Sequence, residues 1–409
     1  MGYMSQTNVL LVYENAGRFY FMEFHFRKGV YKLNEQSNFD FQLNRVVMWD
    51  GGDLEEIKAV GPNIKTSEDW KKELIALGDK AVSEGRTENA IAYYRMSEFF
   101  MYDGDPDKKA YYVKATEMFY DYYKPVFDSG GVVRHEVPYE DIFLPVMEAK
   151  AKGVEKDIIL LHGGNDSYFE ELFLPMLYLA EHGFTTYLFE GPGQGGVMRV
   201  QGKHFTHEWE RPVKAVLDYF HLDDVTIIGA SLGGMLAPRA AAFEKRIQRV
   251  IAWSIFPNFR DVILSASSPA NGRRVKLAKW LLDHNCRGII NAVFGRLAKK
   301  DEMIRWGLEH GKYAYEAEDA FGYAQKMNRF QMMDIADRIT QDVLIVGANK
   351  DHFIPYTMVG EEINALKNVR SLTFRLFTDK EDACNRCNCG NVKLTFDTFM
   401  NWIMQMKEF

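Results

Sequence analysis

Val225-Thr-Ile-Ile-Gly-Ala-Ser231-Leu-Gly-Gly-Met235 constrains this chain more than any other stretch. A β-branched apolar run leads into Gly229-Ala230-Ser231-Leu232-Gly233, and Met235 to Phe243 then reads as a helix. A strand, a sharp turn and a helix around Gly-x-Ser-x-Gly make a nucleophile elbow. The two glycines answer a steric demand. The turn holds Ser231 at a strained backbone angle, and a side chain at Gly229 or Gly233 would crowd neighbouring strands or the helix. The hydroxyl is thereby presented above a sheet, next to a helix N-terminus.

A chain of 409 residues has room for one large α/β domain with an appendage, or for two domains. Apolar content of 47 % and charged content of 26 % are those of a globular protein. A formal net charge of -7 argues against a phosphate-backbone binder, so no nucleic-acid partner is expected. No stretch approaches the roughly 20 apolar residues of a membrane span. Glu14, Arg18 and Glu23 interrupt the N-terminus, unlike a signal peptide. The expectation is a cytoplasmic chain with no membrane partner. Aromatics at 14 % suggest a large core and an aromatic-lined pocket.

Along the chain, Arg18-Phe-Tyr-Phe-Met-Glu-Phe-His-Phe26 fits either a strand or a buried helix, and helix is the favoured reading. From Thr66 to Lys124 the period is helical. Trp70, Leu74, Leu77 and Ala81 share one face, and Ala90, Tyr94 and Ser97 share the inner face of a second helix after Gly85. A third helix, rich in Tyr and Phe, follows Pro106. Residues 1–129 thus read as an α-helical N-terminal domain. One helical hairpin without a second copy does not make a repeat protein.

Beyond Gly130-Gly131 the pattern changes. Val132–Val137, Ile142–Ala149 and Asp157–Leu161 read as opening antiparallel strands. Strands and helices then alternate through the elbow to Trp253, which implies an α/β fold with a mostly parallel sheet and helices on both faces. Residues 130–409 form this second domain. Segments within 257–334 leave the rhythm and read as a helical cap insertion. The core resumes at Asp342-Val-Leu-Ile-Val-Gly347.

Acyl transfer needs a nucleophile, a base for its proton, an acid to orient the base, and donors for the oxyanion. Ser231 is the nucleophile candidate. Leu161-His162-Gly163-Gly164-Asn165-Asp166 follows an apolar strand, and its glycines let backbone N–H groups turn towards developing charge. The amides of Asn165 and Leu232 are the expected donors, with Gly164 as the alternative on the loop. Asp351, just past the strand ending at Gly347, is the expected acid. The base should lie beyond the last strand, yet Phe377 to Asn391 contains no histidine, and His352 adjoins the acid itself.

His162-Gly-Gly-Asn-Asp-Ser167, Phe189-Glu-Gly-Pro-Gly-Gln-Gly195, Phe205-Thr-His-Glu-Trp209, Gly229-Ala-Ser-Leu-Gly-Gly234 and Asp351-His-Phe-Ile-Pro355 together resemble one family. It is the bacterial α/β-hydrolases of the acylaminoacyl- or dipeptidyl-peptidase-like kind, relatives of 2,6-dihydroxypseudooxynicotine hydrolase and of fungal polyketide-shortening hydrolases. The resemblance runs from about Val132 to the C-terminus, and the N-terminal helices fit it in outline. It implies the α/β-hydrolase fold and hydrolysis of a C–C, ester or amide bond in a small-molecule or peptide-like acyl substrate. It also implies no cofactor and often a homodimer. Family members carry Asn-His-Cys-Gln in the last loop, where this chain has Asn385-Arg386-Cys387-Asn388. Arg386 stands at the position of the catalytic histidine.

An arginine stays protonated at any working pH and cannot serve as the base. Three readings follow: a weakened or repurposed hydrolase, a silent fold that binds a ligand in the old pocket, or a histidine supplied by His135, His204 or His207. His207 reads more simply as a helix-start residue. Glu190-Gly-Pro-Gly-Gln-Gly195 lacks the ending and spacing of a phosphate loop and reads as a loop at the strand edge. Cys384, Cys387 and Cys389 give C-x-x-C-x-C without the second pair of a zinc site. Reduced, partly buried thiols with no metal are the plain reading, and a thiolate site completed by His352 is the rival.

Overall fold

The computed structural model describes residues 5–15, 18–49, 51–267 and 272–408. An eight-stranded sheet forms its centre. The strands are β3 (Val133–Tyr139), β4 (Ile142–Ala149), β5 (Asp157–His162), β6 (Phe184–Phe189), β7 (Val225–Ala230), β8 (Ile247–Trp253), β9 (Asp342–Ala348) and β10 (Ser371–Phe377). Their order is β10-β9-β8-β7-β5-β6-β4-β3. Antiparallel pairing is confined to β3 with β4 and β4 with β6. The strand at Asp157 is therefore the first of the parallel set, paired with β6 and β7, and not a third antiparallel strand.

Why the middle strands are continuous apolar runs is plain from their two buried faces. Ile227, Val250 and Val343 turn to the helices Glu210–Phe220 and Gly233–Phe243. Their neighbours Ile228, Ile251 and Leu344 turn to the helices Phe173–Glu181 and Val392–Lys407. The period-2 alternation of a strand thus fills two cores at once.

The N-terminal helices pack as their periodicity requires. Thr66 and Asp69 close a capping box on the helix Ser67–Ser83, whose Trp70, Leu74, Leu77 and Ala81 are all buried. Gly85 ends this hairpin arm at φ +72°. The arm Thr87–Ser97 comes close because Gly78 faces the Tyr94 ring, where a Cβ would lie 2.4 Å from the ring.

The described residues begin with strands and not with a helix. Residues Ser5–Asn15 (β1) and Arg18–Lys28 (β2) pair antiparallel, from Ser5 opposite Lys28 to Asn15 opposite Arg18. The aromatic run from Arg18 to Phe26 is a strand, correcting the helical reading, because its backbone pairs with the neighbouring strand Ser5–Asn15 and not within the run itself. The segment before the sheet is accordingly a β-hairpin followed by helices, not purely α-helical.

Between β8 and β9, five helices from Phe259 to Met327 leave the sheet: Phe259–Ser267, Gly272–Asp283, Arg287–Ala298, Glu302–Ala314 and Ala320–Met327. Glu302–Ala314 leans on the N-terminal helices. Glu302 accepts hydrogen bonds from Ser67 and Tyr102, and the Trp306 indole donates to the Phe99 carbonyl at 3.2 Å. Among the described residues no helix is long and apolar enough to cross a membrane.

Candidate active site

The carboxyl ends of the parallel strands converge on one crevice, as is usual for open α/β sheets. At the end of β7, Ser231 is held at φ +61°, a left-handed angle that costs a non-glycine residue about 1–2 kcal/mol. Its amide donates to the Trp253 carbonyl at 3.0 Å, which ties the turn to β8. Gly229 is required, since a Cβ there would sit 2.2 Å from the Gly233 carbonyl oxygen. The serine hydroxyl lies at the N-terminus of the helix Gly233–Phe243, where the helix dipole favours negative charge.

The loop after β5 lies against this elbow. A Cβ on Gly164 would come within 2.6 Å of the Leu232 amide nitrogen and 2.8 Å of Ser231 Cβ. Only glycine allows so close an approach. The Gly164 amide itself donates to Ser167 Oγ at 2.9 Å, so it is engaged within its own loop. Gly164, the alternative oxyanion donor, is thus already hydrogen-bonded within its loop, and its lack of a side chain lets the two loops touch.

Three residues that sequence reasoning passed over fix this loop. Gln194, after β6, donates to the Gly164 carbonyl at 3.1 Å and accepts from the Gly191 amide at 3.0 Å. From the cap, the Tyr315 hydroxyl donates to Asn165 Oδ1 at 2.6 Å, and the His310 ring lies near the Asn165 backbone. His310 is buried and stacked on Trp306, and desolvation pushes its pKa down to about 3, so the ring is neutral. The only available signal was the position of Gln194 in a glycine-rich loop. The cap residues carry none, because the insertion has no fixed spacing to the loop it touches.

Asp351 follows β9. Its Oδ1 accepts the amides of Phe353 at 2.8 Å and Ile354 at 3.0 Å, which sets the carboxylate's orientation. Its Oδ2 lies 3.6 Å from Arg386 Nη1, an ion-pair distance too long for a good hydrogen bond. Arg386 Nη2 donates to Ser231 Oγ at 2.6 Å. The guanidinium lies between the rings of Phe353 and Phe256, 4.9 and 5.8 Å from their centroids, in reach of cation–π attraction. Ser231, Arg386 and Asp351 therefore form one continuous chain of contacts.

A strained turn delivers the arginine. Cys387 and Asn388 both have positive φ, 48° and 54°. Asn388 locks the turn, accepting from the Trp253 indole at 2.9 Å and donating to the Ala383 carbonyl at 3.0 Å. Cys387 packs in the core beside Trp253, whereas Cys389 joins the N-terminal cluster around Trp70 and Phe100. Burial pushes the Cys387 thiol up to about 12 and raises that of Cys384. Protonated thiols that point into different surroundings are poor metal ligands. No group of three or more metal-binding side chains occurs among the described residues.

The other histidines are placed elsewhere. His135 pairs with Glu148 at 2.8 Å on the β3–β4 edge. His204 faces the Tyr313 ring and His207 the Phe330 ring. None of the three hydrogen-bonds Ser231 or Asp351, which removes them as a substitute base. His352 is open to solvent beside the Phe41 ring, 4.9 Å between centroids, where the N-terminal helix Ser37–Met48 meets the crevice.

Comparison with known proteins agrees with this architecture. The chain is 28 % identical over 340 residues to the hydrolase acrC of Aspergillus aculeatus, covering 75 % of this chain and 77 % of that one. It is 27 % identical over 353 residues to the 20-hydroxy-prefusarin hydrolase FUS2 of Gibberella moniliformis, covering 76 % and 81 %. The solved 2,6-dihydroxy-pseudo-oxynicotine hydrolase superposes with a TM-score of 0.60 at 18 % identity, over 89 % of this chain and 95 % of that one. AbyA5 superposes with a TM-score of 0.61 at 16 % identity, over 87 % and 89 %. Residues 158–373, from β5 into β10, match the model of the alpha/beta hydrolase family, and the chain belongs to that family.

Proposed function

We propose that the chain is a serine hydrolase acting on a C–C, ester or amide bond of a small-molecule or peptide-like acyl substrate. Ser231 is its nucleophile, Asp351 its acid, and the amides of Leu232 and Asn165 its oxyanion donors. The observation that carries this reading is Ser231 Oγ, strained into place at the elbow and held at 2.6 Å by Arg386 Nη2.

The same contact dictates how such a site works. A guanidinium donates and does not accept, so it takes no proton from the serine. It does stabilise a serine alkoxide, since a cation within hydrogen-bond distance favours the charged form of its neighbour. Attack then depends on proton loss to solvent, and the rate rises with pH where a histidine base would give a plateau above about 6.5. Loss of one triad member leaves catalysis roughly 10³–10⁴-fold above water, supplied by the oxyanion donors and binding.

A second reading rests on the same bond. With its hydroxyl already engaged by a charged donor, Ser231 also suits a silent fold whose crevice binds an anionic ligand. Fluorophosphonate labelling and turnover of short p-nitrophenyl esters distinguish the two, compared between wild type, Ser231→Ala and Arg386→His. The hydrolase reading expects slow turnover in wild type that climbs through alkaline pH and vanishes in Ser231→Ala. Arg386→His should gain on the order of 10²-fold and acquire an inflection near the histidine pKa. Wild type that neither labels nor turns over at any pH, beside an active Arg386→His, establishes the silent fold instead.

A further inference from the structure

The outer cap carries a feature that hydrolysis does not use. From Gly272 to Lys300 the chain has eight Lys or Arg against one acid, Asp283, a net charge of +7 in a molecule of net charge -7. Lys279 pairs with Asp261, Arg287 with Glu318 and Asp319, and Asp283 with Arg260. Arg273, Arg274, Lys276, Arg296, Lys299 and Lys300 are exposed and have no ion pair among the described residues.

Interleaved with these charges are apolar side chains turned outward. The helix Gly272–Asp283 exposes Leu277 (57 %) and Trp280 (52 %), one turn apart. The helix Arg287–Ala298 exposes Ile289 (52 %), Val293 and Leu297 at i, i+4 and i+8. Spacing of three or four residues sets apolar and basic groups on the same side of each helix, with Lys276 beside Trp280 and Arg296 beside Val293. An ordinary solvated face keeps its charges out and its leucines in. Here both are out.

We infer that this cap surface docks on an anionic lipid bilayer. Short amphipathic helices with Trp and Leu beside Lys and Arg lie in the membrane interface, where apolar groups enter the acyl boundary and cations meet acidic headgroups. The alternatives fit less well. A second copy would set these six unpaired cations against the same six. A nucleic acid would take the charges and leave Leu277, Trp280 and Leu297 in water. The docking is peripheral and departs from the expectation of no membrane partner, which rested on the lack of a spanning segment and does not bear on a surface contact.

The full chain is sedimented with vesicles of phosphatidylcholine alone and of phosphatidylcholine mixed with phosphatidylglycerol. Binding is expected only to the mixed vesicles, and is expected to weaken as salt screens the charges. Each lost cation should weaken it about fivefold, so Lys276→Glu combined with Arg296→Glu loses well over tenfold. Trp280→Ser combined with Leu297→Ser should also weaken binding while leaving thermal unfolding and ester turnover unchanged, since both side chains are exposed. No binding, or equal binding to both vesicle types, overturns the inference. So does heparin binding as tight as vesicle binding and indifferent to the Trp280 and Leu297 changes. A concentration-dependent dimer that those two changes disperse would assign the face to a second copy.

Discussion

Ser231 combines two costs that a structural residue would avoid, a left-handed backbone and a hydroxyl committed to a part-buried cation. Strain of this kind persists only where the surroundings impose it, here through the hydrogen bond from the Ser231 amide to the Trp253 carbonyl and the glycines on either side. It has a measurable sign. Replacing Ser231 by Ala or by Gly removes the hydroxyl in both cases, but only glycine relieves the backbone. Elsewhere Gly is the less stable of the two by about 0.5–1 kcal/mol. At this position Ser231→Gly should exceed Ser231→Ala by about 1 kcal/mol in denaturant unfolding. An alanine variant as stable as the glycine variant would show that the elbow stores no strain. Arg386 was legible by position alone: the last loop lacks a histidine and offers an arginine there. That its guanidinium would reach past Asp351 to the serine was not, because Cys387 and Asn388 adopt positive φ without a glycine to announce it.

Among the elements, the paired helices Ser67–Ser83 and Thr87–Ser97 owe their closeness to Gly78 against the Tyr94 ring. Gly78→Ala gains about 1 kcal/mol of helix propensity yet drives a methyl into that ring, and overpacking costs about 1–3 kcal/mol. The net expectation is a loss of about 1 kcal/mol, read as a lower denaturant midpoint with an unchanged slope, and Tyr94→Leu should soften it. A more stable Gly78→Ala would mean the helices are free to part. These helices were readable in the sequence because their apolar period is local and their caps are short-range hydrogen bonds, as Thr66 and Asp69 show. The hairpin of β1 and β2 was not, because an isolated aromatic run suits either period until a partner strand supplies its hydrogen bonds. The same division runs through the site. Ser231, Asp351 and the Gly164 loop sit at fixed offsets from strands and could be read directly. Tyr315 and His310 reach Asn165 from about 150 residues away in the chain, through a cap whose placement no local rule encodes.

Over the whole molecule, buried titratable groups give the stability an unusual pH dependence. Burial holds His162 at about 4 and His310 at about 3, well below the ordinary 6.5. Their unfolded forms bind protons first, so the stability they contribute is full above about 6.5 and falls as pH drops through the folded values. Buried carboxyls act in the opposite sense. Glu362 accepts the Phe256 amide with one oxygen while the other has no partner, and burial pushes it up to about 8 from 4.5. Glu190 is raised by burial and by the neighbouring Glu170. These carboxyls are neutral in the fold and ionised when unfolded, so they favour the fold below about 4.5 and lose that contribution as pH rises towards 8. Between 4.5 and 6.5 the histidine and glutamate slopes oppose each other and largely cancel. From 6.5 to 8 the glutamates act without that opposition, each lowering stability by about 1.4 kcal/mol per pH unit. Glu362→Gln keeps the acceptor for the Phe256 amide and cannot ionise. Urea midpoints at pH 6.5 and 8 should therefore fall for wild type and fall distinctly less for Glu362→Gln, the difference corresponding to about 2 kcal/mol over that interval. Equal falls in both proteins would show that Glu362 is already charged in the fold, with a cation or water path reaching the oxygen that here has no partner.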